Sequence, residues 1–134
     1  MPTPPTSGYD GGTITAARNG RTGLWFGGTG GLGNIAGTIL SEHNTEGARA
    51  EDSSRIAQLI AGRMTIRNNK TGIIAENSSE IRITTEATLT DNGTDIVLIF
   101  GSRGVFRGIA LDTTTCDKTS LLRIDNADVT CPTP

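Results

Sequence analysis

The sequence predicts an all-β protein, a single-stranded right-handed parallel β-helix (a solenoid) of about four to five coils. The first observation is a phrase that occurs four times: a Thr followed by Ile or Leu, and then a polar turn that contains Asn. The threonines of the four copies are Thr13, Thr38, Thr65 and Thr88, with successive offsets of 25, 27 and 23. A fixed period of about 20 to 50 residues is the signature of a stacked repeat.

An internal duplication is the second observation. Residues 47–56 read GARAEDSSRI and residues 72–81 read GIIAENSSEI, and the two segments match at Gly, Ala, Glu, both Ser and Ile with an offset of 25. The matched positions include polar residues as well as apolar ones. The duplication therefore supports coils that repeat in structure as well as in length.

The third observation is the length of the apolar stretches. Residues 81–83, 88–90 and 96–100 alternate or run apolar over three to five positions, and Asn, Asp, Ser and Gly stand between them. No segment keeps a helical period for three turns. Strands this short become stable when each coil stacks on the previous one, about 4.8 Å away, with its backbone paired to both neighbours.

Composition sets the domain organisation and excludes some partners. The Pro- and Thr-rich residues 1–11 are predicted to be a linker-like N-terminus, residues 12–131 the β-helix domain, and residues 132–134 a tail. The net charge is −2 and no run of Lys or Arg occurs, so we expect no nucleic-acid partner. No apolar stretch approaches the roughly 20 residues that span a bilayer, and the sequence predicts no signal peptide.

Residues 71–104, TGIIAENSSEIRITTEATLTDNGTDIVLIFGSRG, resemble the repeats of pectate-lyase-like parallel β-helix proteins, a family that includes bacterial secreted and surface proteins and phage tailspikes. The resemblance covers roughly residues 12–131. It implies the fold and an extracellular or cell-surface location. It does not imply one activity, because such repeats occur in lyases, hydrolases, epimerases, adhesins and domains without chemistry.

Residues one period apart become neighbours in a stacked helix, so four asparagines are expected to form a column. They are Asn19, Asn44, Asn69 and Asn92, with spacings of 25, 25 and 23. Asn tolerates the left-handed conformation of a tight bend, and stacked amides can hydrogen-bond from coil to coil. We interpret the column as a structural ladder, with a ligand-binding amide row as the alternative.

The threonines of the phrase predict a second column. A flat array of Thr-X-Thr would be similar to the surface of ice-binding β-solenoids. The partner position, however, reads Thr15, Leu40 (or Ser41), Arg67 and Thr90, and a central Arg breaks the flatness. Ice binding is therefore disfavoured.

Arg55, Glu80 and Arg103 form a charged column with offsets of 25 and 23. An exposed ladder of ion pairs would favour this register, although each exposed pair contributes only about 0.2–1 kcal/mol. The alternative is an arginine-supported carboxylate of the kind that sugar-acid lyases require. We favour the ladder.

Glu51 and Glu76 share a column one coil apart. Neighbouring carboxylates can act as a general acid and base, and retaining glycosidases place theirs about 5–5.5 Å apart. Together with Asp52 and Asn77, the pair could instead form a Ca²⁺ site. Apart from this possible Ca²⁺, we expect no cofactor. Arg49 and Arg55 lie close by in the sequence and could simply neutralise both carboxylates.

Trp25 is the only tryptophan, and together with Leu24 and Phe26 it carries most of the aromatic surface of the chain. It could cap the first coil from inside. It could instead lie outside as a platform on which a sugar ring stacks.

Cys116 and Cys131 are predicted to form a disulfide that closes the C-terminal end. Two thiols are too few ligands for zinc, and a loop of this length makes a disulfide worth about 3 kcal/mol. The bond would hold residues 121–124 as a final strand and indicate an oxidising compartment.

The sequence therefore predicts a non-catalytic module of a secreted or surface bacterial protein, acting as a scaffold, in adhesion or in glycan contact. Long loops between coils, from which β-helix enzymes build their clefts, are absent from the sequence. The alternative is the core of a polysaccharide lyase or hydrolase, with five candidate residues. These are Glu51, Glu76, Glu80, Arg55 and Arg103. A second alternative is a phage tail-fibre segment, and self-association through the ends of the helix is a further expected contact.

Overall fold

The computed structural model describes residues 8–9, 13–26, 32–35, 38–58, 63–83, 87–109 and 113–130, and these residues form strands and turns without a helix. The strands, in chain order, are β1 Gly8–Tyr9, β2 Thr13–Ala17, β3 Thr22–Phe26, β4 Leu32–Ile35, β5 Thr38–Glu42, β6 Glu46–Glu51, β7 Arg55–Gln58, β8 Arg63–Arg67, β9 Thr71–Glu76, β10 Glu80–Ile83, β11 Ala87–Thr90, β12 Thr94–Leu98, β13 Arg103–Phe106, β14 Thr114–Cys116, β15 Leu121–Ile124 and β16 Ala127–Val129.

The strands form three sheets that wind around one core. The seven-stranded sheet has the order β1-β4-β7-β10-β13-β15-β16, the five-stranded sheet β3-β6-β9-β12-β14, and the four-stranded sheet β2-β5-β8-β11. Each strand pairs in parallel with the strand one coil away; β15 and β16, which pair antiparallel, are the exception. The structure thus confirms an all-β parallel β-solenoid. β1 lies within the segment that the sequence predicts to be a linker.

The solenoid is slightly shorter than predicted. From β2 to β11 the described chain advances about three turns, against the four to five coils expected from the repeats. The strands β1, β14 and β15 add partial turns at the two ends. Four copies of the phrase mark the four strands β2, β5, β8 and β11, and four stacked strands are separated by three turns.

The core follows from the alternation of inward and outward side chains along each strand. Inward positions stack in columns, such as Ile56 on Ile81 and Ala50 on Ala75 and Leu98. The buried apolar core comprises Ile39, Ala48, Ala50, Ile56, Met64, Ile66, Ile73, Ala75, Ile81, Ile83, Leu89, Ile96, Leu98, Phe106, Cys116 and Leu122. Its side chains are mostly aliphatic, as expected for a narrow interior with few aromatic residues.

The predicted threonine column does not form. Thr13 pairs with Thr38, but Thr38 pairs with Arg63, and Thr65 lies opposite Leu40 and Thr88. The phrase has an offset of 27 between Thr38 and Thr65, whereas the paired strands keep an offset of 25, as between Thr38 and Arg63. A shift of two positions leaves the same side chains facing inward, so the phrase alone does not determine the register. The observed register interrupts the threonine array and further disfavours an ice-binding face.

The C-terminal end departs from the regular repeat. The offset between paired strands falls from 23 at Ile73–Ile96 to 18 at Ile96–Thr114. The chain then forms β15 and turns back through Asp125 and Asn126, whose φ angles are 50° and 67°, into β16. Two residues with positive φ are the requirement of a type I′ hairpin turn. β16 thereby pairs with the outer edge of β15 and becomes the last strand of the seven-stranded sheet.

Candidate functional site

The candidate site is a shallow groove on the outer face of the five-stranded sheet, next to its first two strands. The groove has a volume of about 230 Å³ and is lined by Arg21, Thr22, Trp25, Arg49 and Glu51. Three of these residues, Trp25, Arg49 and Glu51, were singled out in the sequence. The stacking of β3 on β6 brings them together from two successive coils.

Trp25 lies outside the solenoid. It occupies an outward position of β3 in register with Arg49 of β6, and 67% of its surface is exposed. Of the two positions considered for this side chain, the structure therefore shows the outer one. Such high exposure is unusual for a large apolar side chain. The flat indole ring offers a surface on which a ligand can pack.

Arg49 holds together a cluster of three carboxylates. Its Nη1 lies 3.1 Å from Oε2 of Glu46, its Nε lies 3.6 Å from Oε1 of Glu51, and its Nη2 donates to Oε1 of Glu76. The four side chains are largely buried, with exposed fractions between 15% and 21%. One guanidinium thus neutralises carboxylates from β6 and β9.

Glu51 and Glu76 lie opposite each other in the register of β6 and β9, as expected from their spacing. Arg49 binds both, so the pair is part of an ion-pair cluster that joins two coils. Glu46 has a second partner, because its Oε1 accepts a hydrogen bond of 2.7 Å from the hydroxyl of Thr22. Arg21, at the rim of the groove, forms no ion pair within the described ranges.

The other charged candidates lie on a different sheet. Glu80 is in register with both Arg55 and Arg103 on the seven-stranded sheet. Its carboxylate pairs with Arg55 at 2.9 Å and with Arg82 of its own strand at 3.0 Å, and the described residues include no ion pair between Glu80 and Arg103. The five candidate catalytic residues are thus divided between two sheets, Glu51 and Glu76 on one and Arg55, Glu80 and Arg103 on the other.

The four asparagines form a continuous ladder. The backbone N–H of Asn19 donates to Oδ1 of Asn44 at 2.8 Å, that of Asn44 to Oδ1 of Asn69 at 2.9 Å, and that of Asn69 to Oδ1 of Asn92 at 3.0 Å. The side-chain amides of Asn44 and Asn69 also donate to backbone carbonyls of the coil below, at 3.1 and 3.2 Å. Both side chains are buried, and their polar groups are engaged within the protein, so the ladder offers little to a ligand.

The left-handed conformation falls one residue before each ladder asparagine. The residues that adopt it, with φ between 55° and 58°, are Arg18, His43, Asn68 and Asp91. The sequence interpretation placed this conformation on the ladder asparagines themselves. The structure instead uses the preceding residue for the bend and the asparagine for the hydrogen bonds between coils.

A serine ladder on the other side of the core was missed in the sequence. The backbone N–H groups of Ser54, Ser79 and Ser102 donate to the hydroxyls of Ser79, Ser102 and Ser120 at 3.1–3.2 Å. The first three serines are almost completely buried. The signal was present in the duplicated Ser-Ser pair of residues 53–54 and 78–79, and it could have been followed at the same period to Ser102.

Cys116 is buried at the end of β14, and Cys131 lies outside the described residues, so their disulfide stays a prediction. A second groove, of about 330 Å³, lies beside Cys116 at the C-terminal end. Next to it, Asp117 accepts hydrogen bonds from the backbone N–H of Phe100 and from Thr119 and Ser120. The bond from Phe100 is the largest cause that lowers the pKa of Asp117 from its usual 3.8 to about 2.

The Ca²⁺ site considered for Glu51 and Glu76 does not assemble from the expected groups. Asp52 and Asn77 bond to each other, through a 3.0 Å hydrogen bond from Nδ2 of Asn77, and they are exposed. Across the described ranges, no group of three or more His, Cys, Asp or Glu residues could hold a metal ion. Nor do these ranges include a helix long and apolar enough to cross a membrane.

Comparison with protein-family models, with curated proteins and with solved structures finds no match for this chain.

Proposed function

We propose that the protein is a non-catalytic β-solenoid module of a secreted or surface bacterial protein, and that it binds a glycan in the groove beside Trp25. The observation that carries the proposal is the exposed indole, 67% accessible, among polar side chains that can hydrogen-bond hydroxyl groups. The resemblance of the repeats to those of secreted β-helix proteins supports the location.

The groove combines the two kinds of contact that a sugar ring requires. The flat face of Trp25 can pack against the apolar C–H face of a pyranose, because both present apolar surface of similar size. The hydroxyls at the edge of the ring then meet Thr22, Arg21 and Glu51, which supply donors and acceptors. Since both strands are held in parallel register, the platform and its polar neighbours are preorganised.

The charges of the cluster favour a glycan without dense negative charge. Glu46, Glu51 and Glu76 outnumber Arg21 and Arg49 by one, so the groove and its surroundings have a formal charge of −1. A polyanionic chain would be repelled by this excess. We therefore expect neutral oligosaccharides to bind more tightly than oligomers of uronic acids.

The arrangement of the acidic groups supports binding over catalysis. Glu51 and Glu76 share the guanidinium of Arg49, and Glu80 lies on another sheet, so no carboxylate pair among the described residues faces the groove free of an arginine. A hydrolase would need one acid and one base facing the same bond. The polysaccharide lyase or hydrolase remains the alternative that the assay below distinguishes.

The test uses the single tryptophan as a probe of its own site. After a glycan array has selected ligands, the fluorescence of Trp25 is titrated with neutral glucose oligomers and with galacturonic acid oligomers. We expect a saturable change with the neutral series. Trp25→Ala should weaken binding, measured by calorimetry, at least about tenfold, or 1.4 kcal/mol, as is typical of a central aromatic contact.

Leu121→Ala is the matched control, because Leu121 is equally exposed but lies at the other end of the solenoid. Its affinity for the glycan should equal that of the wild type. If Trp25→Ala binds as tightly as the wild type, the proposed site is wrong. If the oligomers are cleaved and the activity disappears in Glu76→Gln, the protein is an enzyme and the non-catalytic proposal fails.

A further inference from the structure

The chain contains two Asn-Gly pairs, Asn19–Gly20 and Asn92–Gly93, and both belong to the asparagine ladder. Asn-Gly is the sequence in which an asparagine most readily loses its amide, because glycine has no Cβ to hinder attack by its backbone nitrogen. The ladder treats the two pairs differently. From this contrast we propose that Asn19 is a site of spontaneous deamidation in the folded protein and that Asn92 is protected.

Asn92 is held at every group that the reaction uses. Its Oδ1 accepts from the backbone N–H and from the side-chain amide of Asn69, at 3.0 and 3.1 Å. Its Nδ2 donates to the carbonyl of Ile66 and to Oδ1 of Asp95, each at 3.1 Å. The N–H of Gly93, the attacking group, donates to the carbonyl of Asn69 at 3.0 Å.

Asn19 stands at the first position of the ladder, where these restraints are missing. Its side chain is exposed, and its one side-chain bond within the described ranges runs from Nδ2 to Oδ1 of Asn44 at 3.1 Å. Among the residues that the structure describes, neither Oδ1 of Asn19 nor the N–H of Gly20 has a hydrogen-bond partner. A Cβ placed on Gly20 would meet no atom within 4 Å, so the space around the pair is open.

The reaction needs only water. The deprotonated backbone nitrogen of Gly20 attacks Cγ of Asn19, a C–N bond forms, the bond to the side-chain nitrogen breaks, and ammonia leaves with the transferred proton. Water then opens the cyclic imide at either carbonyl. One opening gives aspartate; the other gives isoaspartate, in which the backbone runs through the former side chain. Either product places a new negative charge two positions before Arg21, at the rim of the groove.

The experiment incubates the folded protein in mildly alkaline buffer and follows both pairs by peptide mapping. A Glu-specific protease is used, since Arg18 and Arg21 flank the first pair and trypsin would release too small a peptide. We expect Asn19 to convert at least about tenfold faster than Asn92, a factor that corresponds to about 1.4 kcal/mol of restraint at the second pair. In denaturant the two rates should come within a few-fold of each other.

Gly20→Ala supplies the second measurement, because the added methyl group fits without contact and hinders the attack. The variant should fold as the wild type does and lose most of the conversion at residue 19 while residue 92 is unchanged. Equal rates at the two pairs in the folded protein, or faster conversion at Asn92, would overturn the proposal. So would a rate at residue 19 that Gly20→Ala does not reduce.

Discussion

Replacement of Asn69 by alanine should destabilise the solenoid far more than the same change at Asn19. Asn69 is 4% exposed, and its side chain bonds two backbone groups of the preceding coil and Oδ1 of Asn92 on the next coil. Its Oδ1 accepts from the N–H of Asn44, and its Nδ2 donates to the carbonyl of Ser41. Alanine removes both of these side-chain partners from buried backbone groups.

Each unsatisfied buried group costs about 1–3 kcal/mol, so Asn69→Ala should lower the free energy of unfolding by about 3 kcal/mol. For Asn19→Ala we expect about 0.5 kcal/mol, since it removes one exposed side-chain donor while Asn44 still accepts from the backbone N–H of residue 19. The difference should be visible as a separation of roughly 10 °C in Tm.

The measurement is urea denaturation followed by far-ultraviolet circular dichroism, with thermal melts as a second readout. Wild type, Asn69→Ala and Asn19→Ala are compared under the same conditions, and the m-values should agree if all three unfold in the same way. Equal stability losses in the two variants would refute the reasoning, because the ladder would then contribute no more inside the solenoid than at its exposed end.

Three further predictions concern packing, acid stability and the ion-pair cluster. Gly104→Ala should lower the free energy of unfolding by about 1–3 kcal/mol in urea titrations, because its Cβ would lie 2.7 Å from the ring of Phe106. Gly20→Ala is the control and should be neutral, since the space around Gly20 is open. Similar losses in the two variants would contradict the packing argument. Asp117 has a folded-state pKa of about 2 against an ordinary 3.8, so its carboxylate stabilises the fold above about pH 4, and this contribution is lost as the pH falls through 2. Acid titrations of wild type and Asp117→Asn should therefore converge over this range, and a constant difference in stability would count against it. Arg49→Met should cost about 1–2 kcal/mol at low ionic strength and less in high salt, and a loss independent of salt would show that the packing of the side chain matters more than its charge.

The architecture could be predicted because the stacked residues repeat in the sequence. The spacing of 25, 25 and 23 between the ladder asparagines equals the spacing of the paired coils, since each asparagine bonds directly to the next. The Thr-Ile phrase was a poorer guide. Thr65 is displaced by two positions relative to Thr38, and this displacement does not change which side chains face inward.

The site was predicted in part. The neighbouring positions of Glu51 and Glu76 follow from their common offset, and Arg49 was recognised as a possible partner. Glu80 forms an ion pair with Arg82 and none with Arg103 among the described residues. The column did not predict this, because a side chain two positions along the same strand competes with one on the adjacent coil. The hairpin of β15 and β16 was also missed, because the tight turn between these strands determines it and the repeat period does not.

The uniform offset at the middle of the solenoid makes its length adjustable. In the pairing of β6 with β9, identical residues face each other at Ala50–Ala75 and at Glu51–Glu76. The irregular features of the two ends lie outside this region. A copied segment of one full coil, inserted there, would present the same upper and lower faces to its neighbours. Each insertion would extend the rod by about 4.8 Å without altering either end. A protein built this way can act as a spacer, and duplication of the segment that encodes one coil would change its length in steps of one coil.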